Sequence, residues 1–414
     1  MKKIKETKDV ITYELNDLTK IYVIKMAETE QTYVEMFFNV GSFDLNLKAN
    51  NEIINFPSGI AHFLEHMMFH MSSGEDQFSV FSKKGFDANA MTSFERTIYM
   101  FTATKDLHDG IDLLLNMLDD PYFTKSRVEL ETKIIEEEIK MYNNDLQTNM
   151  YNDLINNMYY VHPIKYDIGG TIESINEITN EKLYDFYKYF YQPKNRSLLI
   201  CGKVDINKLE KHLSKYKNNN KSVSFELIHT EEPENIIKAF EEKNKEVNIP
   251  KMMLGVKLRS DNNVKDSIVL DILLTMLFST SSEFYEKLVN KALINRNFFY
   301  ESNYYRDLFG FLMFGESTNI NELINEIKAV LLDENIYLNE TDFNRLKRVY
   351  KARFIYSLNN PITLGRLYLT YLQIGVDYFS INDLIDEVEF SDILKMHEII
   401  KPENISILVY KKAK

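Results

Sequence analysis

The chain has 414 residues, of which 44% are hydrophobic and 27% charged, and a formal net charge of −13. That is the balance of a soluble globular protein long enough for about two to three cored domains, and its acidity argues against nucleic acid or an anionic membrane surface as partner. A single Cys excludes a disulfide framework, and no run approaches the roughly 18 uninterrupted apolar residues of a membrane span. The start, MKKIKETKDVITYEL, carries basic residues without the apolar core of a secretory signal. A cytoplasmic location is therefore expected.

The first chemically informative segment is His62-Phe63-Leu64-Glu65-His66. Residues four apart on a helix share one face, so His62 and His66 can close on one metal ion with a ring nitrogen each. Glu65, one residue before the second His, is placed to take the proton of an attacking water without being a ligand itself. The order His-x-x-Glu-His inverts the thermolysin-type motif and is the inverzincin signature. The bland account makes these residues the polar face of an amphipathic helix, with Ile60, Leu64, Met67 and Met68 opposite. Yet that face also carries Phe69 and no Lys or Arg, which suits a lined cavity better than open solvent. His70 extends the run, but one ion rarely draws all its ligands from one helix across two turns.

Residues 85–104, GFDANAMTSFERTIYMFTAT, alternate in the manner of strands, with Phe94-Glu95 at a turn. Next comes an acidic helix at 127–143, RVELETKIIEEEIKMYN. Residues seven apart nearly complete two turns, so Glu131 and Glu138 share a direction flanked by Val128, Ile134, Ile135, Ile139 and Tyr142. Glu136 and Glu137 point away with Lys133 and Lys140, as ordinary solvated charges. Carboxylates on an apolar stripe are costly unless a metal or hydrogen-bond partner receives them. This helix therefore offers the third protein ligand that a catalytic zinc site needs.

Farther along, Cys201 lies in the apolar run SLLICG and reads as a small core residue. The octapeptide PKNRSLLI at Pro193 is echoed by PENISILV at Pro402, 209 residues later, each after a helical stretch and each entering an apolar strand. Residues 216–240 are polar and weakly periodic, a linker by composition. The expected organisation is a metal-bearing half at 1–215, the linker at 216–240, and a second half at 241–414 without metal.

The segments GIAHFLEHMMF, FDANAMTSFERTIYMF, ETKIIEEEIKMY, HPIKYDIGGTIESINEIT and YQPKN resemble the pitrilysin/insulinase family of zinc peptidases. The likeness is to its half-length members, which include mitochondrial processing peptidase and paired bacterial peptidases. It implies an α+β fold of two homologous halves, each an antiparallel-rich sheet with helices packed on one face. It also implies one Zn2+ per chain, held by His62, His66 and Glu138, with Glu65 as the base and Glu131 supporting a ligand from behind. By the same likeness the strand at 85–104, with Asn89 and Ala90, binds an extended peptide by adding it as a further strand. The implied activity is endopeptidase cleavage of short or unfolded peptides in an enclosed chamber, in a bacterial cytoplasm. Maturation of a small ribosomal peptide and general oligopeptide turnover both fit. Family members that are complete in themselves carry an Arg and a Tyr in the second half. The matching stretch here, 281–295, has Val289 and Asn295 at those positions, while Arg296 and Tyr300 stand close by out of register. That departure implies a heterodimer in which a zinc-less homologue supplies Arg and Tyr. The competing reading, a non-catalytic subunit that scaffolds or guides substrate, is disfavoured by the presence of His62, Glu65, His66 and Glu138 together.

Overall fold

In the computed structural model, which describes residues 1–218, 222–259, 264–306, 308–333 and 337–412, the alternating run at 85–104 is an antiparallel hairpin. It belongs to a unit made of Met1–Tyr142, Tyr166–His229 and Tyr356–Phe379. The strands of this unit are β1 (Lys2–Glu6), β2 (Ile11–Glu14), β3 (Lys20–Lys25), β4 (Thr32–Phe38), β5 (Asn46–Ala49), β6 (Glu52–Asn55), β7 (Asp87–Thr92), β8 (Thr97–Ala103), β9 (Arg196–Gly202) and β10 (Glu226–Leu227). Seven of them form one sheet in the order β1-β2-β3-β9-β4-β8-β7, and β10-β5-β6 form a small second sheet. β3 and β9 run parallel, and the other neighbours in the large sheet run antiparallel.

Successive side chains of a strand point to opposite faces, and β4 uses both. Val34, Met36 and Phe38 enter the main core with Phe63 and Leu64 of the helix Ile60–Met67 and Leu114 and Leu115 of the helix Leu107–Asp119. Tyr33 and Glu35 point the other way, where the helix Pro361–Gln373 packs on β4 and β9. Gly365 makes that approach possible, since a Cβ there would stand 2.7 Å from the Tyr33 ring and 2.9 Å from a Leu199 methyl. Cys201 on β9 is fully buried, and burial pushes its thiol up to about 12, in keeping with a core role.

The other unit consists of Asn143–Lys165, Thr230–Ile355 and the chain from Ser380 onward. Its strands β11 (Phe240–Asn244), β12 (Lys251–Leu258), β13 (Phe299–Tyr305), β14 (Leu308–Glu316) and β15 (Ile405–Lys411) form a sheet in the order β11-β15-β12-β14-β13. β11 and β15 are parallel and the rest antiparallel. Order and direction thus repeat those of β3-β9-β4-β8-β7. The echoed octapeptides occupy the same place twice, a 3-10 turn (Pro193–Asn195, Pro402–Asn404) leading into the strand second from that end. The two halves are homologous in topology as well as in sequence.

Each half also lends one helix to the other unit. Leu146–Met158 packs on β12 and β15, just as Pro361–Gln373 packs on β4 and β9. Gly255 on β12 lies directly beneath Met158, whose sulfur would be 2.2 Å from a Cβ at that position. The units are therefore interleaved in sequence, although the boundary at 229/230 falls inside the segment 216–240. Residues 219–221 of that segment lie outside the described residues, and its Glu226–Leu227 is paired with β5. Among the described residues, one helical stretch, Val264–Asn290, is long and apolar enough to cross a membrane. It is two helices, Val264–Phe278 and Glu283–Asn290, and the first is buried against β13 and the helix Phe390–Glu398.

Candidate metal centre

The helix Ile60–Met67 opens at Gly59, whose φ of 87° suits a residue without Cβ, and packs on β7 and β8. Ile60, Phe63, Leu64 and Met67 are buried beneath it. That registry turns His62 and His66 towards the acidic helix, which spans Lys125–Asn143. On that helix Val128, Glu131, Ile135 and Ile139 are buried. Leu130, Ile134, Met141 and Tyr142 are exposed, so Ile134 and Tyr142 do not flank the buried direction as the periodicity predicts. The buried face is centred nearer Ile135, leaving Glu131 on its edge and Glu138 at the border with solvent. Glu137 pairs outward with Lys140, as expected of a solvated charge.

Three side chains converge. Nε2 of His62 lies 3.2 Å from Nε2 of His66. The Glu138 carboxylate lies 3.9 Å from the first and 3.7 Å from the second. Two nitrogens held tetrahedrally at about 2.0–2.1 Å from one zinc ion stand about 3.3 Å apart, so the spacing fits such an ion. The tautomers fit as well. Nδ1 of His66 lies 2.9 Å from Oε1 of Glu131, and a carboxylate can only accept there, which leaves Nε2 as a lone pair. Nδ1 of His62 is buried with no hydrogen-bond partner among the described residues. Two imidazole nitrogens this close are compatible only if a proton or a cation lies between them. Burial, with the charge of His66, lowers the His62 imidazole to about 4, so His62 stays neutral and can offer a ring nitrogen to a cation.

The carboxylates divide by surroundings. Burial works to raise Glu131, but hydrogen bonds from His66 and His70 outweigh it and hold it at about 2. Burial raises the Glu65 carboxyl above its ordinary value, against a hydrogen bond from Thr92 and the charge of His66. Thr92, at the end of β7, donates its hydroxyl to Oε2 of Glu65 over 2.9 Å. Sequence reasoning missed this residue, although its place at the strand's end beside the turn at 93–96 was readable. His70 stays out of the ligand set, as expected, but not on the helix that the run at 62, 66 and 70 implied. The helix stops at Met67, so His70 lies beyond it in a turn, paired with Asp76 and outside the converging donors. Asn89 and Ala90 sit on β7, the edge strand of the large sheet, where Asn89 Oδ1 accepts the Ala90 N–H.

The second half has no such set among its described residues. By element order, Val264–Phe278 stands where Ile60–Met67 does, and Glu340–Ser357 where the acidic helix does. Facing groups there are Thr275 and Tyr350, whose hydroxyls are 3.0 Å apart, and Arg353, 5.1 Å from the Tyr350 ring. Ser302 donates to the nearby Asp271. A guanidinium has no lone pair to offer a cation, so this cluster is a polar core rather than a second metal site.

Family models agree with that division. The model described as Insulinase (Peptidase family M16) matches residues 20–172, and Peptidase M16 inactive domain matches residues 177–350. The uncharacterized zinc protease YmfH of Bacillus subtilis is 32% identical over 387 residues, covering 90% of this chain and 89% of that protein. The chain belongs to peptidase family M16. This M16 chain is also 25% identical over 405 residues to the zinc protease PqqE of Helicobacter pylori, covering 94% of this chain and 88% of that one. A crystal structure of an M16-like peptidase from Alicyclobacillus acidocaldarius superposes with a TM-score of 0.92 at 25% identity, over 99% of this M16 chain and all of that one. His62, Glu65, His66 and Glu138 all fall in the segment matched to the insulinase model.

Proposed function

We propose that this M16 chain is a zinc-dependent endopeptidase whose ion is held by His62, His66 and Glu138. The convergence of those three side chains, with the two Nε2 atoms 3.2 Å apart, carries the reading. Zinc, when bound, supplies a Lewis acid that polarises the peptide carbonyl and eases ionisation of the attacking water. Glu65 accepts the proton of that water and returns it to the departing amine. Its raised affinity for a proton suits both transfers, and Thr92 keeps the carboxylate oriented. Glu131 receives the Nδ1–H of His66 and so, in the neutral ring, leaves the lone pair on Nε2. The edge strand β7, with Asn89 and Ala90, offers main-chain groups to an extended peptide, which favours short or unfolded substrates.

Elemental analysis tests the assignment. We expect about one zinc per chain, lost in His62→Ala, His66→Ala and Glu138→Gln. Glu65→Gln should retain the metal and lose peptidase activity. Zinc retained in Glu138→Gln but lost in Glu137→Gln would refute the choice of third ligand. A non-catalytic scaffold predicts no dependence of any cleavage on Glu65.

A partner belongs to the same reading. Val289 is 48% exposed on the helix Glu283–Asn290, and Asn295 is engaged by Glu316 at 2.6 Å. Neither offers the cationic or phenolic donor that the resemblance calls for. Tyr300 is turned to Thr275 and Phe278 within its own unit. The proposal is a heterodimer in which a zinc-less homologue supplies Arg and Tyr.

A further inference from the structure

We propose that His70 is a positioning residue for the metal centre, which fixes the Glu131 carboxylate so that it accepts the Nδ1–H of His66. This role rests on the reading that His62, His66 and Glu138 hold zinc.

Beyond Met67 the chain leaves the helix in a tight turn, where the His70 N–H donates to the Met67 carbonyl over 3.1 Å. His70 then pairs with Asp76 in an isolated antiparallel bridge, and Gln77 N–H returns to the Phe69 carbonyl at 3.2 Å. Phe69 is buried and stacked on Phe78. These contacts fix the position of His70 although no helix carries it. The imidazole places Nε2 3.4 Å from Oε2 of Glu131, while Oε1 of the same carboxylate lies 2.9 Å from Nδ1 of His66. One carboxylate thus bridges two imidazoles, one of them a proposed ligand.

The bridge matters because Glu131 has little else to hold it. Its side chain is 7% exposed, and Val128 and Ile135 on its own helix are apolar neighbours. The torsion that ends a glutamate side chain is broad. With His66 as sole partner, the carboxylate could rotate and lose the straight Nδ1–H···O contact that fixes the ligand's tautomer and ring plane. Outer partners of metal-bound histidines typically contribute 10- to 100-fold to affinity. His70 acts one bond further out, so the lower end of that range applies.

The test is zinc affinity of the full chain, measured by competition with a chromophoric chelator. His70→Ala and His70→Phe should each weaken binding about 10-fold, the Phe variant keeping the volume while removing the donor. His70→Gln, whose amide can donate, should stay within about 3-fold of the parent. Glu131→Gln should weaken binding at least as much as His70→Ala. Thermal unfolding in excess chelator should be alike for all four, which separates positioning from folding. Unchanged affinity in His70→Ala and His70→Phe would overturn the proposal, as would a His70→Gln variant as weak as His70→Phe. If the parent chain takes up no zinc, the reading of the centre itself fails, and this role with it.

Discussion

The hydroxyl of Thr92 donates to Oε2 of Glu65, joining the end of the edge strand β7 to the carboxylate proposed as the base. Both groups are buried, at 8% and 9% exposure, so water does not substitute for the bond. A hydrogen bond to a charged group contributes about 1.5–3 kcal/mol. Thr92→Val keeps the shape and removes the donor. It should lower kcat by at least about 10-fold while leaving zinc content unchanged. It should also move the acid limb of the kcat/KM profile upward, because the bond favours the carboxylate over the acid. Thr92→Ser should restore most of both. Steady-state kinetics across pH on a fluorogenic peptide provides the check, and a Thr92→Val enzyme with an unmoved acid limb would contradict the assignment.

Zinc affinity should itself depend on pH. Burial opposes protonation of His66, but the Glu131, Glu65 and Glu138 carboxylates outweigh it and raise the imidazole above its ordinary value. A ligand nitrogen must be free of its proton, so binding releases protons and weakens as the ligand protonates. Apparent affinity should therefore keep rising with pH beyond the ordinary imidazole value of 6.5 and level off only once His66 has lost its proton. In Glu131→Gln one raising influence is gone, and the rise should begin at lower pH even though the plateau affinity is poorer. Chelator competition across pH measures both. A plateau already reached at the acid end would show that His66 does not hold its proton as the geometry requires.

The ligand motif was legible because its chemistry is local. Four-residue spacing on one helix turns sequence into geometry, and His62, Glu65 and His66 sit as that spacing demands. Glu138 was reachable through helical phase, and Glu131 likewise, because both lie near one side of a single helix. The topological repeat was announced by the octapeptides at Pro193 and Pro402, whose strands hold matching places in the two sheets. What escaped was contact between distant segments. Thr92 reaches Glu65 across 27 residues and His70 reaches Glu131 across 61, and no periodicity encodes such distances. The burial of Ile134 was misjudged for a related reason. A helical wheel gives relative directions, whereas the packing of neighbours decides which direction is covered. Interleaving escaped too, since nothing in the sequence of Leu146–Met158 or Pro361–Gln373 marks which half's sheet it covers.

The lent helix Pro361–Gln373 covers a buried carboxylate. Glu35 is 1% exposed on β4, accepts the Tyr33 hydroxyl and stands near Arg96 and Arg366, with Arg366 Nε 3.4 Å from the Tyr33 oxygen. Burial pushes the Glu35 carboxyl up to about 7, against the pull of Tyr33 and the two guanidinium groups. The folded chain therefore holds a proton that the unfolded chain releases from about pH 4.5 upward. Stability contributed by this group is fully present below that pH and is lost as pH rises through about 7, on the order of 3 kcal/mol. Glu35→Gln removes the titration. Its melting temperature should change less between pH 5 and 8 than that of the parent, with the difference greatest at the alkaline end. Scanning calorimetry of both proteins across that interval decides it, and parallel pH dependences would rule the assignment out.

An oxyanion donor typically contributes about 10²–10³ in rate, and the positions at which the resemblance places an Arg and a Tyr hold Val289 and Asn295. Asn295 and Asn297 both donate to Glu316, which also pairs with Lys251, so this corner is committed to internal bonds. Arg353, at the second half's counterpart of the metal centre, lies over Tyr350 instead. The isolated chain should bind about one zinc ion yet cleave peptides about 10²-fold or more below the level reached with its partner. Adding a zinc-less homologue that carries the Arg and Tyr should restore turnover without changing zinc content. The restored rate should fall on dilution as the pair dissociates, and it should vanish in Glu65→Gln of this chain. Replacing the Arg of the partner by Ala should return the mixture to the level of the isolated chain. Full activity from the isolated chain, undiminished by dilution, would show that the oxyanion is served from within, and the heterodimer would then be unnecessary.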